Sequence, residues 1–107
     1  MKIECHCRAL IIDETDDLPH KGHVIPDQGW NALCDALDER VIDAFAARKL
    51  TRDGAYQMVR ELLIRAARPI WQCWACGRLY VDDLQHDVHC YRPDTEGTDR
   101  AVLRGAG

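Results

Sequence analysis

Two cysteines near the C-terminal end have the spacing of a metal-binding knuckle. Cys73 and Cys76 are separated by two residues, and Gly77 follows them. In such a turn the backbone amides point toward the two thiolates, and a glycine accommodates the left-handed backbone that closes the turn. One knuckle supplies two ligands, whereas a structural zinc ion needs four. The remaining two ligands must therefore come from another part of the chain.

The best candidates for this second pair are Cys5 and Cys7, which share one face of a strand or converge around a tight turn. If their segment lies beside the strands that flank the Cys73–Cys76 knuckle, both ends of the chain meet at one ion. The sequence thus predicts one structural zinc ion per chain, bound by Cys5, Cys7, Cys73 and Cys76. Zinc is the commoner structural ion for this ligand set, although four cysteines also bind iron.

Other side chains offer alternatives to this ligand set. The rival ligands are His6, His20, His23, His86, His89 and Cys90. A mixed site of Cys73, Cys76, His89 and Cys90 is one such alternative. The cysteines are also explained as buried reduced thiols without a metal, since free cysteine is often a core residue. Cys34 is interpreted in that way, because it falls on the apolar stripe of a predicted helix.

The sequence lacks the common motifs of catalytic sites. It contains no His-Glu-x-x-His signature, no zinc-deaminase pattern, no phosphate-binding loop and no dinucleotide fingerprint. A thioredoxin-like role for Cys73 requires that a helix begin there, but the residues after Gly77 are typical of a strand. We therefore predict a protein without enzymatic activity and keep a thiol redox enzyme as a second alternative.

Strands are predicted at both ends of the chain. Residues 2–12 alternate and then become apolar, and short strands are expected over residues 70–73, 78–81 and 87–92. The predicted fold is α+β: a small, zinc-ribbon-like antiparallel sheet from both chain ends, packed on two central helices. Residues 1–92 form a single zinc-binding domain in this prediction, and residues 93–107 form a flexible tail.

The two predicted helices differ in charge. The first extends from an Asp27 N-cap to Ala47, and its apolar stripe includes Trp30 and Phe45. Its remaining surface is acidic. The second helix begins at Thr51 or Asp53 and ends at Arg68, because Pro69 cannot continue it. This helix is basic, and its arginines are Arg52, Arg60, Arg65 and Arg68.

Three segments resemble a group of small bacterial zinc-ribbon-like proteins, most of them uncharacterised. The segments are Cys5-His6-Cys7, the stretch from Asp13 to Asp27, and Cys73-Trp74-Ala75-Cys76-Gly77-Arg78-Leu79-Tyr80. The resemblance covers residues 1–92 and implies that the two cysteine pairs are the metal ligands. Trp74 and Ala75 stand where relatives more often have a proline, which leaves the metal site intact.

Composition limits the partners of the chain. It has 107 residues, 47% of them apolar and 30% charged, with a net charge of -4. An acidic balance disfavours a nucleic-acid-binding role, because such domains are usually basic. No apolar run spans a bilayer and no signal peptide is recognisable. Together with the cysteine content, this predicts a protein of the reducing cytoplasm.

These features predict a protein-binding module, by analogy an immunity protein or antitoxin that neutralises a bacterial toxin. An acidic surface would complement the basic cleft of a toxin that attacks nucleic acid. The expected contact residues are Asp35, Asp38, Glu39 and Asp43 on the first helix, Trp74 at the tip of the knuckle, and His20 and His23 in a loop. The alternative is a nucleic-acid-associated zinc ribbon that uses the arginine helix.

Overall fold

The computed structural model describes residues 1–105 and has an α+β fold. It contains two sheets, of two and four strands, and two long helical segments. The chain divides into two compact units. Met1–His23 and the described residues from Pro69 onward form a sheet unit, and Val24–Arg68 forms a helical unit. The last two residues of the predicted tail, Ala106 and Gly107, lie outside the described residues.

The first segment is a hairpin, so the extended stretch expected over residues 2–12 is interrupted by the tight turn that the sequence left open for Cys5 and Cys7. Strand β1 (Lys2–Glu4) pairs antiparallel with β2 (Leu10–Ile12), with Ile3 opposite Ile11. The chain reverses between them because Arg8 adopts a left-handed conformation, with a φ of 75°. An arginine carries no sequence signal for such a turn, since left-handed residues are usually glycine, asparagine or aspartate.

The second sheet contains four strands in the order β3-β4-β5-β6. Their bounds are Lys21–Val24, Arg68–Gln72, Leu79–Asp82 and Val88–Tyr91. β4 pairs antiparallel with β5, and β5 with β6, in agreement with the antiparallel sheet predicted from the sequence. β3 was not expected, because Lys21-Gly22-His23-Val24 is too short and too polar to indicate a strand.

A small core holds the sheet unit together. It consists of the buried residues Cys5, Ile11, Trp71, Cys73 and Tyr80. Trp71 lies in this core, and its indole N–H donates to Asp13 Oδ2 at 2.9 Å. Lys21 lies 2.7 Å from the same oxygen. Cys5 and Cys73 belong to this core, so one cysteine of each pair is also a core residue.

The helical unit begins with helix α1 (Asp27–Leu37). The helix continues through a π-helical segment (Asp38–Asp43) into the short α2 (Ala44–Ala46). The predicted N-cap was wrong by one residue. Pro26 holds the N-cap position with an extended backbone, and Asp27 is the first helical residue, where its charge favours the helix dipole.

Helix α3 (Arg52–Ala66) has the predicted cap: the Thr51 hydroxyl accepts the Gly54 N–H at 3.0 Å. The helix ends two residues before the predicted Arg68, because Ala67 is already extended. The core of this unit is Leu33, Val41, Ala55 and Leu62. Trp30 and Phe45, predicted to be buried on the apolar stripe, are 51% and 46% exposed.

The chain after β6 contacts the sheet unit over the described part of the predicted tail. The buried Gln72 side chain accepts the Val102 N–H at 2.9 Å and donates to the Asp99 carbonyl oxygen at 2.9 Å. Arg100 Nη1 donates to the Ala75 carbonyl oxygen at 2.8 Å. These contacts anchor residues 99–102, and the flexibility of the tail stays a prediction.

Candidate metal centre

The first knuckle is the tight turn between β1 and β2. The Arg8 N–H donates to the Cys5 carbonyl oxygen at 2.8 Å, which closes the turn. The Cys5 N–H donates to the Ala9 carbonyl oxygen at 2.9 Å and continues the hairpin. Because the turn contains only His6 and Cys7 between these residues, both thiols lie at the same end of the hairpin.

The second knuckle is the turn between β4 and β5. The Gly77 N–H donates to the Cys73 carbonyl oxygen at 2.9 Å, and the Cys73 N–H donates to the Arg78 carbonyl oxygen at 2.8 Å. Gly77 has a φ of 83°, as predicted for the residue that closes a knuckle. The backbone amides of Cys76 and Ala75 act to lower the pKa of the Cys73 thiol, and the backbone amide of Arg78 acts to lower that of Cys76. These effects are the ones expected for amides that point toward the sulfur atoms.

The two knuckles face each other, and the four sulfur atoms lie within 4.8 Å of one another. Cys5 Sγ is 3.5 Å from Cys76 Sγ, and Cys7 Sγ is 3.6 Å from Cys73 Sγ. These distances are far longer than the roughly 2.05 Å of a disulfide. They are close to the roughly 3.8 Å between ligands of a tetrahedral zinc ion with bonds of about 2.3 Å. The donor set is thus compatible with one metal ion.

Burial of the four cysteines is uneven. Cys5 and Cys73 are 2% and 0% exposed and belong to the core of the sheet unit. Cys76 is half-buried, and Cys7 is exposed. A bound ion would therefore contact the core on one side and approach solvent on the side of Cys7.

The surroundings favour negative charge on some sulfur atoms and oppose it on others. Burial disfavours the Cys5 thiolate, but hydrogen bonds with Tyr80, Cys7 and Cys76 lower its pKa to about 6. Burial raises the pKa of the Cys73 thiol to about 12, although two backbone amides act in the opposite direction. The Cys73 thiol therefore needs a positive ion beside it to lose its proton near neutral pH, and four thiolates together require a cation at their centre.

Two residues that sequence reasoning missed support the cluster from outside. Arg78 Nη1 donates to Cys76 Sγ at 3.2 Å, which places a positive charge beside a thiolate. The Tyr80 hydroxyl accepts the His6 N–H at 3.1 Å and hydrogen-bonds with Cys5. The position of Arg78 directly after the Cys-x-x-Cys-Gly motif was the available signal. No sequence signal pointed to Tyr80, because a tyrosine in a predicted strand is typical of strands in general and does not indicate a contact with a cysteine.

The family model for a domain of unknown function (DUF8617) matches residues 1–95 of the chain. The chain belongs to this family. No curated protein and no solved structure matches it. Within residues 1–105, no helix of this DUF8617 member is long and apolar enough to cross a membrane.

The rival ligands lie outside the cysteine cluster in the described part of this DUF8617 member. His89 Nε2 lies 2.7 Å from Asp83 Oδ2, and His86 is exposed. Cys90 is half-buried and packs against the core of the sheet unit. The His6 ring makes an edge contact with Tyr80, at 6.3 Å between centroids. Among the described residues, the potential ligand atoms that lie within 4.8 Å of one another are those of the four cysteines and include none of these rivals, which favours the four-cysteine set over the mixed one.

The expected partner contacts lie in both units. The four acidic residues of the helical unit, Asp35, Asp38, Glu39 and Asp43, are all exposed. In the sheet unit His23 is exposed, whereas His20 is half-buried and lies 3.0 Å from the Ile12 carbonyl oxygen. Trp74 is 61% exposed, and its indole N–H donates to the Leu10 carbonyl oxygen at 3.0 Å. Their role in binding stays a prediction.

The predicted arginine surface on the second helix is smaller than the sequence suggested. Arg52, Arg60 and Arg65 are exposed on α3. Arg68 lies beyond the helix, as the first residue of β4, and is half-buried. Three of the four arginines thus remain available on the helix surface.

Proposed function

We propose that this protein is a non-enzymatic protein-binding module whose sheet unit is stabilised by one structural zinc ion. The observation that carries this proposal is the convergence of four cysteine sulfur atoms from two knuckles. Four thiolates would complete the tetrahedral coordination of zinc and leave no open position for a substrate or water, which is typical of structural sites. The ion would join the first hairpin to the β4–β5 hairpin.

The first test is the metal content of freshly purified, reduced protein by native mass spectrometry. We expect one zinc ion per chain, and its mass distinguishes it from iron. The Cys73→Ser, Cys76→Ser double variant should lose the ion and the structure of the sheet unit. Cys34→Ser is the matched control, because Cys34 lies on α1 outside the cluster. A folded parent protein without metal, or a double variant that retains zinc, would contradict the proposal.

The partner that we propose is a basic bacterial toxin, which the protein would neutralise in the reducing cytoplasm. The exposed acidic residues of the helical unit and the net charge of -4 support this choice. Four zinc-bound thiolates would add a further charge of about -2. Complementary charge accelerates association with a basic partner. Co-expression with a toxin encoded beside this gene should restore growth, and growth inhibition that persists would count against the proposal.

A nucleic-acid-associated role is the second candidate, favoured by the exposed Arg52, Arg60 and Arg65 on α3. It requires affinity for RNA or DNA that falls steeply as salt is added, because phosphate contacts release counterions. Filter binding of a labelled oligonucleotide at low salt tests it. An Arg60→Gln, Arg65→Gln variant should reduce the salt dependence. Negligible binding at low salt would exclude this candidate.

A further inference from the structure

The outer face of the first hairpin exposes apolar side chains. Lys2 pairs with Ile12 and Glu4 with Leu10, so these four side chains share one face of the two-stranded sheet. The opposite face carries Ile11, which is fully buried in the core. Leu10 and Ile12 are 48% and 44% exposed. Ile11 is thus the residue of β2 that the core buries, and the two large apolar residues Leu10 and Ile12 remain on the solvent side.

Trp74 extends this apolar surface from the neighbouring knuckle. Its side chain is 61% exposed, yet its indole N–H donates to the Leu10 carbonyl oxygen at 3.0 Å. The hydrogen bond fixes the ring beside β2 and leaves most of its area in contact with water. His20 Nε2 lies 3.0 Å from the Ile12 carbonyl oxygen. The backbone carbonyl groups of Leu10 and Ile12 are therefore already paired with side chains. A partner that docks here would contact the exposed side chains of β2 and not these carbonyl groups.

An acidic segment follows β2 directly. Glu14, Asp16 and Asp17 are exposed. Asp13 is different, because Lys21 lies 2.7 Å from its carboxylate and balances its charge. Within the described residues Glu14, Asp16 and Asp17 form no ion pair, and they follow the apolar pair directly in sequence; Lys2 is the one basic side chain among the four of the hairpin face.

We propose that this hairpin face, formed by Leu10, Ile12 and Trp74 and flanked by the acidic segment 14–17, docks a basic polypeptide. The polypeptide would present an apolar side chain flanked by lysine or arginine. A tryptophan already held in place loses little conformational freedom on binding, and tryptophan is enriched among residues that dominate binding energy. The carboxylates would attract the basic flanks and orient them.

This inference rests on the proposed protein-binding function and places the binding surface on the sheet unit. The acidic residues of the helical unit remain the competing surface, and one titration separates the two. The probe is the peptide Lys-Lys-Leu-Leu-Lys-Lys, added to zinc-loaded, 15N-labelled full-length protein. The control peptide carries glutamate in place of lysine. We expect amide shift changes at residues 10–17 and at the Trp74 indole with the basic peptide only.

Variants test which residues carry the binding. Trp74→Ala should weaken binding of the basic peptide at least tenfold. Since Trp74 adjoins two of the cysteines, Ile12→Thr supplies a second variant away from the knuckle and should weaken binding severalfold. A Glu61→Gln variant, which removes an exposed carboxylate of α3 outside both acidic surfaces, is the matched control and should bind like the parent. Zinc content is measured on every sample, so that loss of metal is not mistaken for loss of the docking surface.

Several outcomes would overturn the proposal. They are shift changes confined to residues 27–46, no binding at millimolar peptide, and equal binding of the acidic peptide. Shift changes at residues 10–17 that grow with protein concentration alone would assign the face to a second copy of the chain and also overturn it. One zinc ion per chain without peptide binding would refute only the docking surface. Peptide binding by a folded, metal-free chain would refute only the structural zinc.

Discussion

The residues that close the two knuckles provide a sensitive test of the metal centre. Gly77 and Arg8 occupy equivalent positions, at the end of each turn, with φ of 83° and 75°. A left-handed backbone costs a residue with a side chain about 1–2 kcal/mol and costs glycine little. Alanine at position 77 should therefore weaken the second knuckle, whereas glycine at position 8 should strengthen the first.

The size of the effect follows from the local geometry. A Cβ at Gly77 would lie 3.3 Å from Pro93 Cγ and 3.4 Å from Arg100 Cγ, which adds close contacts to the backbone cost. Alanine also lowers the conformational entropy of the unfolded chain, which offsets about 0.5–1 kcal/mol of this cost. The net loss for Gly77→Ala is about 1 kcal/mol, or roughly a fivefold weaker zinc affinity, because zinc binds only the folded knuckles.

Position 8 requires a comparison of two variants, because replacing Arg8 also removes a positive charge near the thiolates. Arg8→Gly and Arg8→Ala both remove the charge, but only glycine relieves the backbone. We expect the glycine variant to bind zinc roughly fivefold more tightly than the alanine variant. Gly29→Ala in α1 is a control outside the centre, since its Cβ would meet nothing within 4 Å. It should leave the zinc affinity unchanged.

Competition with a chromophoric chelator, at fixed pH and ionic strength, measures the zinc affinity of each variant. We expect the same preference at both positions: because both residues have a left-handed backbone, glycine should give a tighter zinc affinity than alanine at position 77 and at position 8. If Gly77→Ala binds zinc as tightly as the parent, and the two Arg8 variants do not differ, the left-handed residues do not shape the site. The assignment of these turns as zinc knuckles would then be refuted.

Three further predictions concern the sheet unit. A chelator should remove the metal and loosen this unit while the helical far-UV circular dichroism signal persists, because the helical core contains none of the four cysteines. Loss of the helical signal together with the structure of the sheet unit would contradict this. Hydrogen peroxide should oxidise the thiolates, expel the metal and leave disulfides between the two knuckles. We expect Cys5 joined to Cys76 and Cys7 joined to Cys73, because these pairs of sulfur atoms are 3.5 and 3.6 Å apart. Peptide mapping checks this, and disulfides within each knuckle would contradict it. Hydrogen bonds from a lysine and an indole lower the pKa of Asp13, so Asp13→Asn should reduce the free energy of unfolding by about 1–3 kcal/mol near neutral pH. A carboxylate with a depressed pKa stabilises the fold above its unfolded value and loses that effect as the pH falls through its folded value, so the difference from the parent in urea unfolding should shrink below about pH 4.

Local rules explain why some elements were predictable. The spacing of Cys73, Cys76 and Gly77 identified a knuckle, because a turn of this kind depends on residues adjacent in sequence. Thr51 was recognised as a helix cap for the same reason, since its hydroxyl needs only the amide three residues later. Residues 2–12 were expected to be extended, and the sequence left a strand or a tight turn open for Cys5 and Cys7. The structure has the tight turn, which contains the left-handed Arg8, a residue that carries no sequence signal for a reversal.

The sequence by itself determined which residues are able to bind a metal ion. It pointed to Cys5 and Cys7 as the partners of the Cys73–Cys76 knuckle only as the best candidates among several possible ligands. The tertiary structure decided that the four sulfur atoms lie within 4.8 Å of one another, in a group that includes neither His89 nor Cys90. Contacts between residues about seventy positions apart depend on how strands pair and cores pack, and neither leaves a local pattern. For the same reason only the structure revealed that Trp74 lies beside β2, where a side chain expected merely to be exposed is held by a backbone carbonyl.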